Sequence, residues 1–198
     1  YKRQPLNRMS TVTQPWTGAG GGTAVTKYDY DVQDHLIQVT DAEGNATAYI
    51  YSDRDLMTHQ ASPVSGATDY TYDEHGELTT EMDARNVLVT RTPDALDRVT
   101  AVTYPDPTLT VTYTYDAPGA FAKGRLTGIT RNGQTVPYTY DRFGRMLQDG
   151  DLTYGYDKNG NRKTITYPDN ITATYGFDFA DRQTSLSVKA GAALSLIH

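Results

Sequence analysis

A nine-residue signature, Tyr-x-Tyr-Asp-x-x-Gly-Arg-Leu, recurs about every 21 residues and constrains the fold more than any other feature. Its clearest copies are Tyr70-Thr71-Tyr72-Asp73-Glu74-His75-Gly76-Glu77-Leu78 and Tyr138-Thr139-Tyr140-Asp141-Arg142-Phe143-Gly144-Arg145-Met146. Counted from the first aromatic position, repeats begin at Tyr1, Tyr28, Tyr49, Tyr70, Arg91, Tyr113, Tyr138, Tyr154 and Tyr175, with spacings of 27, 21, 21, 21, 22, 25, 16 and 21. A period of this size marks an architecture in which one repeat buries its apolar face only against its neighbours. Residues 1–198 are therefore expected to form one continuous array without internal domain boundaries.

Composition fits such an array. Apolar residues make up 37% of the chain and mean hydropathy is −0.60, both low for a compact core. The 16 Tyr, against 4 Phe and 1 Trp, offer another route to folding, because Tyr buries a large ring while keeping its hydroxyl on a polar partner and favours strands. Net charge is −6 with both signs well mixed, so no basic surface for nucleic acid is expected. Cysteine is absent, which excludes disulfides and thiolate metal sites. No apolar run approaches the ~18 residues of a membrane span. The chain opens inside a repeat and closes on Leu196-Ile197-His198, which reads as the start of another strand. A piece of a longer array is expected.

Each repeat reads as strand, turn, strand, turn. Tyr28 and Tyr30 lie two apart, so their rings project from one face of a strand. Tyr49/Tyr51, Tyr70/Tyr72, Tyr113/Tyr115, Tyr138/Tyr140 and Tyr154/Tyr156 repeat the arrangement, and Tyr175/Phe177 is a close variant. These rings are expected to stack on their equivalents in adjacent repeats. Asp31, Asp73, Asp94, Asp116, Asp141, Asp157 and Asp178 open the following turn, where a carboxylate can accept backbone N–H groups one turn ahead. Three residues further stand Asn7, Asp34, Asp55, Gly76, Asp97, Gly144, Gly160 and Asp181, with Gly124 in the repeat that carries an insertion. Gly, Asn and Asp tolerate positive φ, so a left-handed residue is expected there in all nine copies.

Arg opens the second strand in five repeats (Arg8, Arg98, Arg125, Arg145, Arg182). Apolar pairs such as Leu36/Val39, Val99/Val102 and Leu126/Ile129 then fall three apart, against simple alternation. Either a bulge lies between them or both strand faces are covered. A second turn closes the repeat at Asp41-Ala42-Glu43-Gly44-Asn45, Arg131-Asn132-Gly133, Tyr104-Pro105-Asp106 and Tyr167-Pro168-Asp169-Asn170. Length changes fall at turns: residues 17–22, 117–123 and the shortening around Asp149-Gly150. No helical stripe survives three turns.

The signature resembles the YD-repeat, or Rhs-repeat, family across essentially the whole chain. Ser52 and Gln4 depart from it at the Asp, and Arg91-Thr92-Pro93 at the Tyr pair, so those repeats are expected to be less regular. The resemblance, to bacterial Rhs proteins, the B and C components of insecticidal toxin complexes and animal teneurins, implies an all-β fold. Repetitive antiparallel hairpins would form one continuous, curved, spiralling sheet. It also implies a structural role in a bacterial exported protein, secreted or at the cell surface, whose shell encapsulates a C-terminal toxin or effector. The alternative is a cell-surface or wall-associated adhesin that binds glycan or a partner protein. The aspartyl cleavage segment that ends such shells has no counterpart here, since Asp106-Pro107 is followed by Thr108-Leu109.

The residues themselves point away from chemistry. Each turn offers one carboxylate at a fixed spot, whereas calcium needs six to eight oxygens. His35, His59 and His75 fall at different repeat positions, and His198 is terminal; no triad or metal spacing joins them. Neither enzyme activity, nor a metal, nor a cofactor is expected. The partners expected are the remaining repeats of the parent chain, an enclosed toxin domain, or carbohydrate stacked on Tyr rows. Asn45-Ala46-Thr47 and Asn170-Ile171-Thr172 are glycosylation sequons that matter only in a eukaryotic host.

Overall fold

The structure is a computed structural model that describes residues 2–3, 8–16, 22–119, 121–190 and 193–195. It divides into two bodies, residues 1–107 and 108–198. In the first, β1 (Lys2–Arg3), β2 (Met9–Trp16), β3 (Gly22–Tyr30), β4 (Leu36–Thr40), β5 (Ala46–Tyr51), β6 (Met57–Ser62), β7 (Gly66–Tyr72), β8 (Leu78–Met82), β9 (Leu88–Pro93) and β10 (Val99–Thr103) follow one another, each antiparallel to the next. The second holds β11 (Val111–Tyr115), β12 (Leu126–Arg131), β13 (Gln134–Tyr140), β14 (Met146–Asp149), β15 (Leu152–Tyr156), β16 (Arg162–Thr166), β17 (Ile171–Phe177), β18 (Gln183–Ala190) and β19 (Ala193–Ser195), paired in the same consecutive way. Among the described residues there is no α-helix, only short 3-10 turns at Pro107–Leu109 and Pro168–Asn170. Each body is thus an all-β run of antiparallel hairpins.

The first strand of each repeat alternates as the Tyr pair requires. Along β7, Thr68, Tyr70 and Tyr72 are half-buried while Ala67, Asp69 and Thr71 are exposed, and β11 repeats the pattern. Little is deeply buried. Ile165 and Ala173, at 7% and 5% exposure, are the apolar side chains that leave solvent among the described residues. The strands are held by their ladders and by neighbouring repeats, with no second layer packed to core density.

The three-residue apolar spacing comes from a bulge. Tyr30 pairs with Leu36 and Asp29 with Gln38, so Ile37 is the extra residue. The same step skips Thr58, Thr79, Thr100, Thr127, Leu147, Lys163 and Thr184. A bulge frees backbone groups of the partner strand, and Thr takes up that slack. Thr58, Thr79, Thr100 and Thr127 donate their hydroxyls to the carbonyls of Ile50, Thr71, Thr92 and Thr114, at 3.3, 3.1, 2.9 and 3.0 Å.

The repeat of Arg91 is more regular than its sequence suggests. Pro93 pairs with Val99, and the turn that follows has the same bonds as its neighbours. Expectations that fall on Tyr1, Gln4, Asn7, residues 17–21 or His198 lie outside the described residues.

Candidate functional site

In each body the turns that follow the Tyr pairs lie along one edge of the sheet, because each closes a hairpin entered from the same direction. Their local geometry comes from one carboxylate. In the turn of Asp141, the Asp141 N–H donates to the Arg145 carbonyl and the Gly144 N–H to the Asp141 carbonyl, both at 2.9 Å. Asp141 Oδ1 accepts from the N–H groups of Phe143 and Arg145, at 2.8 and 3.0 Å. Asp31, Asp73, Asp94, Asp157 and Asp178 make the same pair of bonds to residues two and four ahead, within 2.8–3.1 Å. This is a type I turn closed by a left-handed residue, with the Asp side chain occupying donors that would otherwise face solvent.

The left-handed position has φ of 72° at Asp34, 60° at Asp55, 90° at Gly76, 58° at Asp97, 75° at Gly124, 81° at Gly144, 95° at Gly160 and 58° at Asp181. These are all the expected copies except Asn7. The turn tolerates change at the Asp. Ser52 replaces it with a hydroxyl that accepts from Arg54 and Leu56 at a longer 3.3 Å. Asp116 departs from the pattern. It is itself left-handed, at φ 56°, and its carboxylate accepts the Gly124 N–H across the insertion. The opposite edge uses the motif too: Asp41 and Asp83 accept the same two N–H groups, with Gly44 and Asn86 left-handed. The first-edge and second-edge turns are therefore one device used twice.

Adjacent turns are tied by a basic or amide side chain that reaches from one repeat to the next. What it meets depends on the left-handed residue. Where that residue is Asp, its carboxylate is the target. Arg8 pairs with Asp34, His35 with Asp55 at 3.1 Å, His75 with Asp97 at 2.8 Å, and Asn159 and Asn161 with Asp181 at 2.9 and 2.7 Å. Where it is Gly, the side chain crosses bare backbone. Arg54 donates to the Asp73 and Glu74 carbonyls at 2.9 and 2.8 Å and passes Gly76. Arg125 and Arg145 reach the Gly144 and Asp157 carbonyls at 3.5 Å. A Cβ at Gly144 would fall inside the Arg125 guanidinium, and one at Gly160 would sit 3.5 Å from that of Arg145. At Gly144 the end of the Arg125 side chain would have to move, whereas at Gly160 the contact would be an ordinary one, so glycine there serves its backbone angle.

Four of the Tyr rings are covered by these same side chains, where stacking of Tyr on Tyr was expected. Arg8 lies over Tyr30, Arg125 over Tyr140 and Arg145 over Tyr156, at 5.1, 5.2 and 4.5 Å, and His35 stacks on Tyr51 at 4.6 Å with 15° between planes. A cation over a ring face gains from the ring's quadrupole. The hydroxyl of the second Tyr then reaches back to the preceding repeat. Tyr51, Tyr72, Tyr140 and Tyr156 donate to the carbonyls of Leu36, Met57, Leu126 and Met146, at 3.1, 2.7, 2.8 and 2.8 Å. Each acceptor is the first residue of a bulged strand. Burial pushes the Tyr51 and Tyr72 phenols above their ordinary range.

Electrostatically the edge is a row of ionised carboxylates. The Glu77 N–H holds the Asp73 carboxyl below its ordinary value, with that of His75 assisting. The Arg98 side chain does so for Asp94. For Asp141 and Asp31 burial opposes ionisation as the largest single influence, but the bonds from Arg145 and from His35 together outweigh it. Among the described residues no group of three or more acidic or His side chains is arranged to hold a metal. The carboxylates serve cohesion between turns. Sequence reading found the Asp and the left-handed position. It passed over Thr58, Thr79, Thr100 and Thr127 as ordinary strand residues, and Arg54, which stands outside the Arg position of the signature.

The RHS Repeat family matches residues 30–68 and 72–109. Those two segments are RHS repeats. The fold is similar to that in the crystal structure of TcdB2-TccC3-TEV, with a TM-score of 0.80 and 14% identity over 98% of this chain and 12% of that one. It is also similar to TcdB2-TccC3, with a TM-score of 0.75 and 14% identity over 93% and 12%. For a Photorhabdus luminescens Tc holotoxin pore the TM-score is 0.69, with 15% identity over 95% and 11%. The chain therefore spans about one eighth of the length of those chains. No curated protein matches it in sequence at a significant level.

Proposed function

We propose that the chain is a wall segment of an RHS-repeat shell that encloses a C-terminal toxin or effector, in an exported bacterial protein, and that it has no catalytic role. Residues 1–198 then form one array. Its Tyr pairs, its turn aspartates from Asp31 to Asp178, and Gly76, Gly124, Gly144 and Gly160 are structural determinants. The observation that carries the reading is the commitment of the turn edge to its own neighbours. Carboxylates, basic side chains and Tyr hydroxyls are spent on adjacent repeats, as a wall requires. The likeness over 98% of the chain to TcdB2-TccC3-TEV supports the same architecture. The glycan-binding alternative is less well supported, because Tyr30, Tyr51, Tyr140 and Tyr156 already carry a cation or imidazole on a ring face.

Limited proteolysis of the parent protein tests the proposal. The region that follows the repeats should resist protease while the shell is intact and become cleavable when Gly144→Val opens the turn ladder. Equal cleavage in both proteins would overturn enclosure.

A further inference from the structure

His35 occupies the position that Arg holds in five other repeats, and its ring is fixed on three sides. Nδ1 lies 2.9 Å from Asp31 Oδ2, Nε2 lies 3.1 Å from Asp55 Oδ1, and one face stacks on Tyr51. A carboxylate only accepts, and a neutral imidazole has one N–H. Carboxylates at both nitrogens therefore call for the imidazolium. His75, two repeats further on, has one carboxylate within hydrogen-bond reach, with Nδ1 2.8 Å from Asp97 Oδ1, and a second nearby, with Nε2 3.8 Å from Glu74 Oε1. We propose that protonation of His35 and His75 controls the cohesion of two turn junctions, residues 31–35 with 52–56 and residues 73–77 with 94–98: each cation clamps its own turn to the one after it, and the neutral ring lets it go.

The charges facing each ring favour this. Around His35 stand Asp31 from its own turn and Asp55 from the following one, while Arg8 from the preceding turn is engaged by the Asp31 carbonyl and the Asp34 carboxylate. Around His75 stand Asp73, Glu74 and Asp97, with Arg54 engaged by the Asp73 and Glu74 carbonyls and Arg98 paired with Asp94. Carboxylates prevail at both rings. The Asp31 side chain, opposed by burial, raises the His35 imidazole above its ordinary 6.5, and the Asp97 side chain raises that of His75. A folded-state value above the unfolded one gives stabilisation that is complete below 6.5 and lost as pH rises through the folded value. In the second body Arg125, Arg145 and Asn161 hold the equivalent place, and none of these titrates in that range.

Amide hydrogen exchange on the full chain between about pH 5.5 and pH 8.5 provides the test. Protection factors at Ser52 and Asp55, beyond His35, and at Asp94 and Asp97, beyond His75, should fall several-fold as pH rises. Those at Asp157 and Gly160 should hold steady. The H35Q/H75Q double variant should lose the pH-dependent part of the fall. A fall of the same size in the variant, no fall in the parent chain, or an equal fall at Asp157 and Gly160 would each overturn the proposal. Ring-proton shifts of the unsubstituted chain give a reading that needs no variant: both imidazoles should titrate above 6.5, and midpoints at or below it would sink the clamp.

Discussion

The two bodies build the same turn and join it to its neighbour by different means. In the first, the left-handed residue is Asp in three of four described copies, Asp34, Asp55 and Asp97, against Gly76. In the second it is Gly in three of four, Gly124, Gly144 and Gly160, against Asp181. The backbone angle is met either way, so φ alone does not choose the residue. What differs is how the side chain from the preceding turn is met. Arg125 and Arg145 pass over glycine and donate to carbonyls, whereas Arg8, His35 and His75 meet a carboxylate. A left-handed residue is thus half of a pair whose other half lies about one repeat upstream.

The largest effect should come from acid, where both bodies share one weakness. Asp31, Asp41, Asp73, Asp83, Asp94, Asp141, Asp157 and Asp178 all have carboxyls held below the ordinary 3.8. With folded values below unfolded ones, their stabilisation is present above 3.8 and lost as pH falls through the folded values. Thermal melts should drop steeply in that window. In the turn of Ser52 the oxygen that accepts the Arg54 and Leu56 N–H groups is a hydroxyl, so those two amides should keep their protection longest. Asp141→Asn keeps an oxygen for both N–H donors and no longer titrates, so it should flatten the acid loss at Phe143 and Arg145. Unchanged local behaviour in that variant would count against the carboxylate as the cause.

Next in size is Gly144→Val, expected to cost about 2 kcal/mol or more by urea unfolding, from the left-handed penalty plus displacement of Arg125. Gly124→Val should cost less, about 1–2 kcal/mol, because nothing lies within 4 Å of its added Cβ. Gly144→Asp should recover part of the loss by offering Arg125 the partner that Asp34 gives Arg8. Equal costs at Gly124 and Gly144 would show that backbone angle alone matters and that Arg125 makes no demand on the residue beneath it. Tyr72→Phe should cost about 1 kcal/mol by releasing the Met57 carbonyl, and Tyr70→Phe less. Smallest is Thr79→Val, about 0.5–1 kcal/mol, which leaves the Thr71 carbonyl at the bulge without its hydroxyl donor.

Much of this was legible in the chain because it is local. The Asp and the left-handed residue lie three apart, and the Tyr pair two apart, so hydrogen-bond reach and strand pleat act within one signature. The bulge left a local trace as well, in Leu36 and Val39 standing three apart, but two arrangements fitted that trace and only the register of Asp29 with Gln38 decides between them. What escaped reading is contact between repeats. Arg54 reaches Glu74 across 20 residues and His75 reaches Asp97 across 22, and neither pairing leaves a mark in either repeat alone. Tyr stacking failed for a related reason. At Tyr30, Tyr51, Tyr140 and Tyr156 a ring face is covered by Arg or His from the preceding turn, which satisfies the ring and the cation together.

The pairing of turns also restricts how such an array can change length. Recombination between tandem copies removes or adds whole repeats, and each event brings together two turns that had not met. Loss of residues 138–153 would place Arg125 before Gly160 and over Tyr156, an Arg before a glycine turn as it was before. Loss of residues 49–69 would place His35 before Gly76, with no carboxylate at its second nitrogen. Loss of a copy should therefore be better tolerated at residues 138–153 than at residues 49–69, because of what each turn hands to the next.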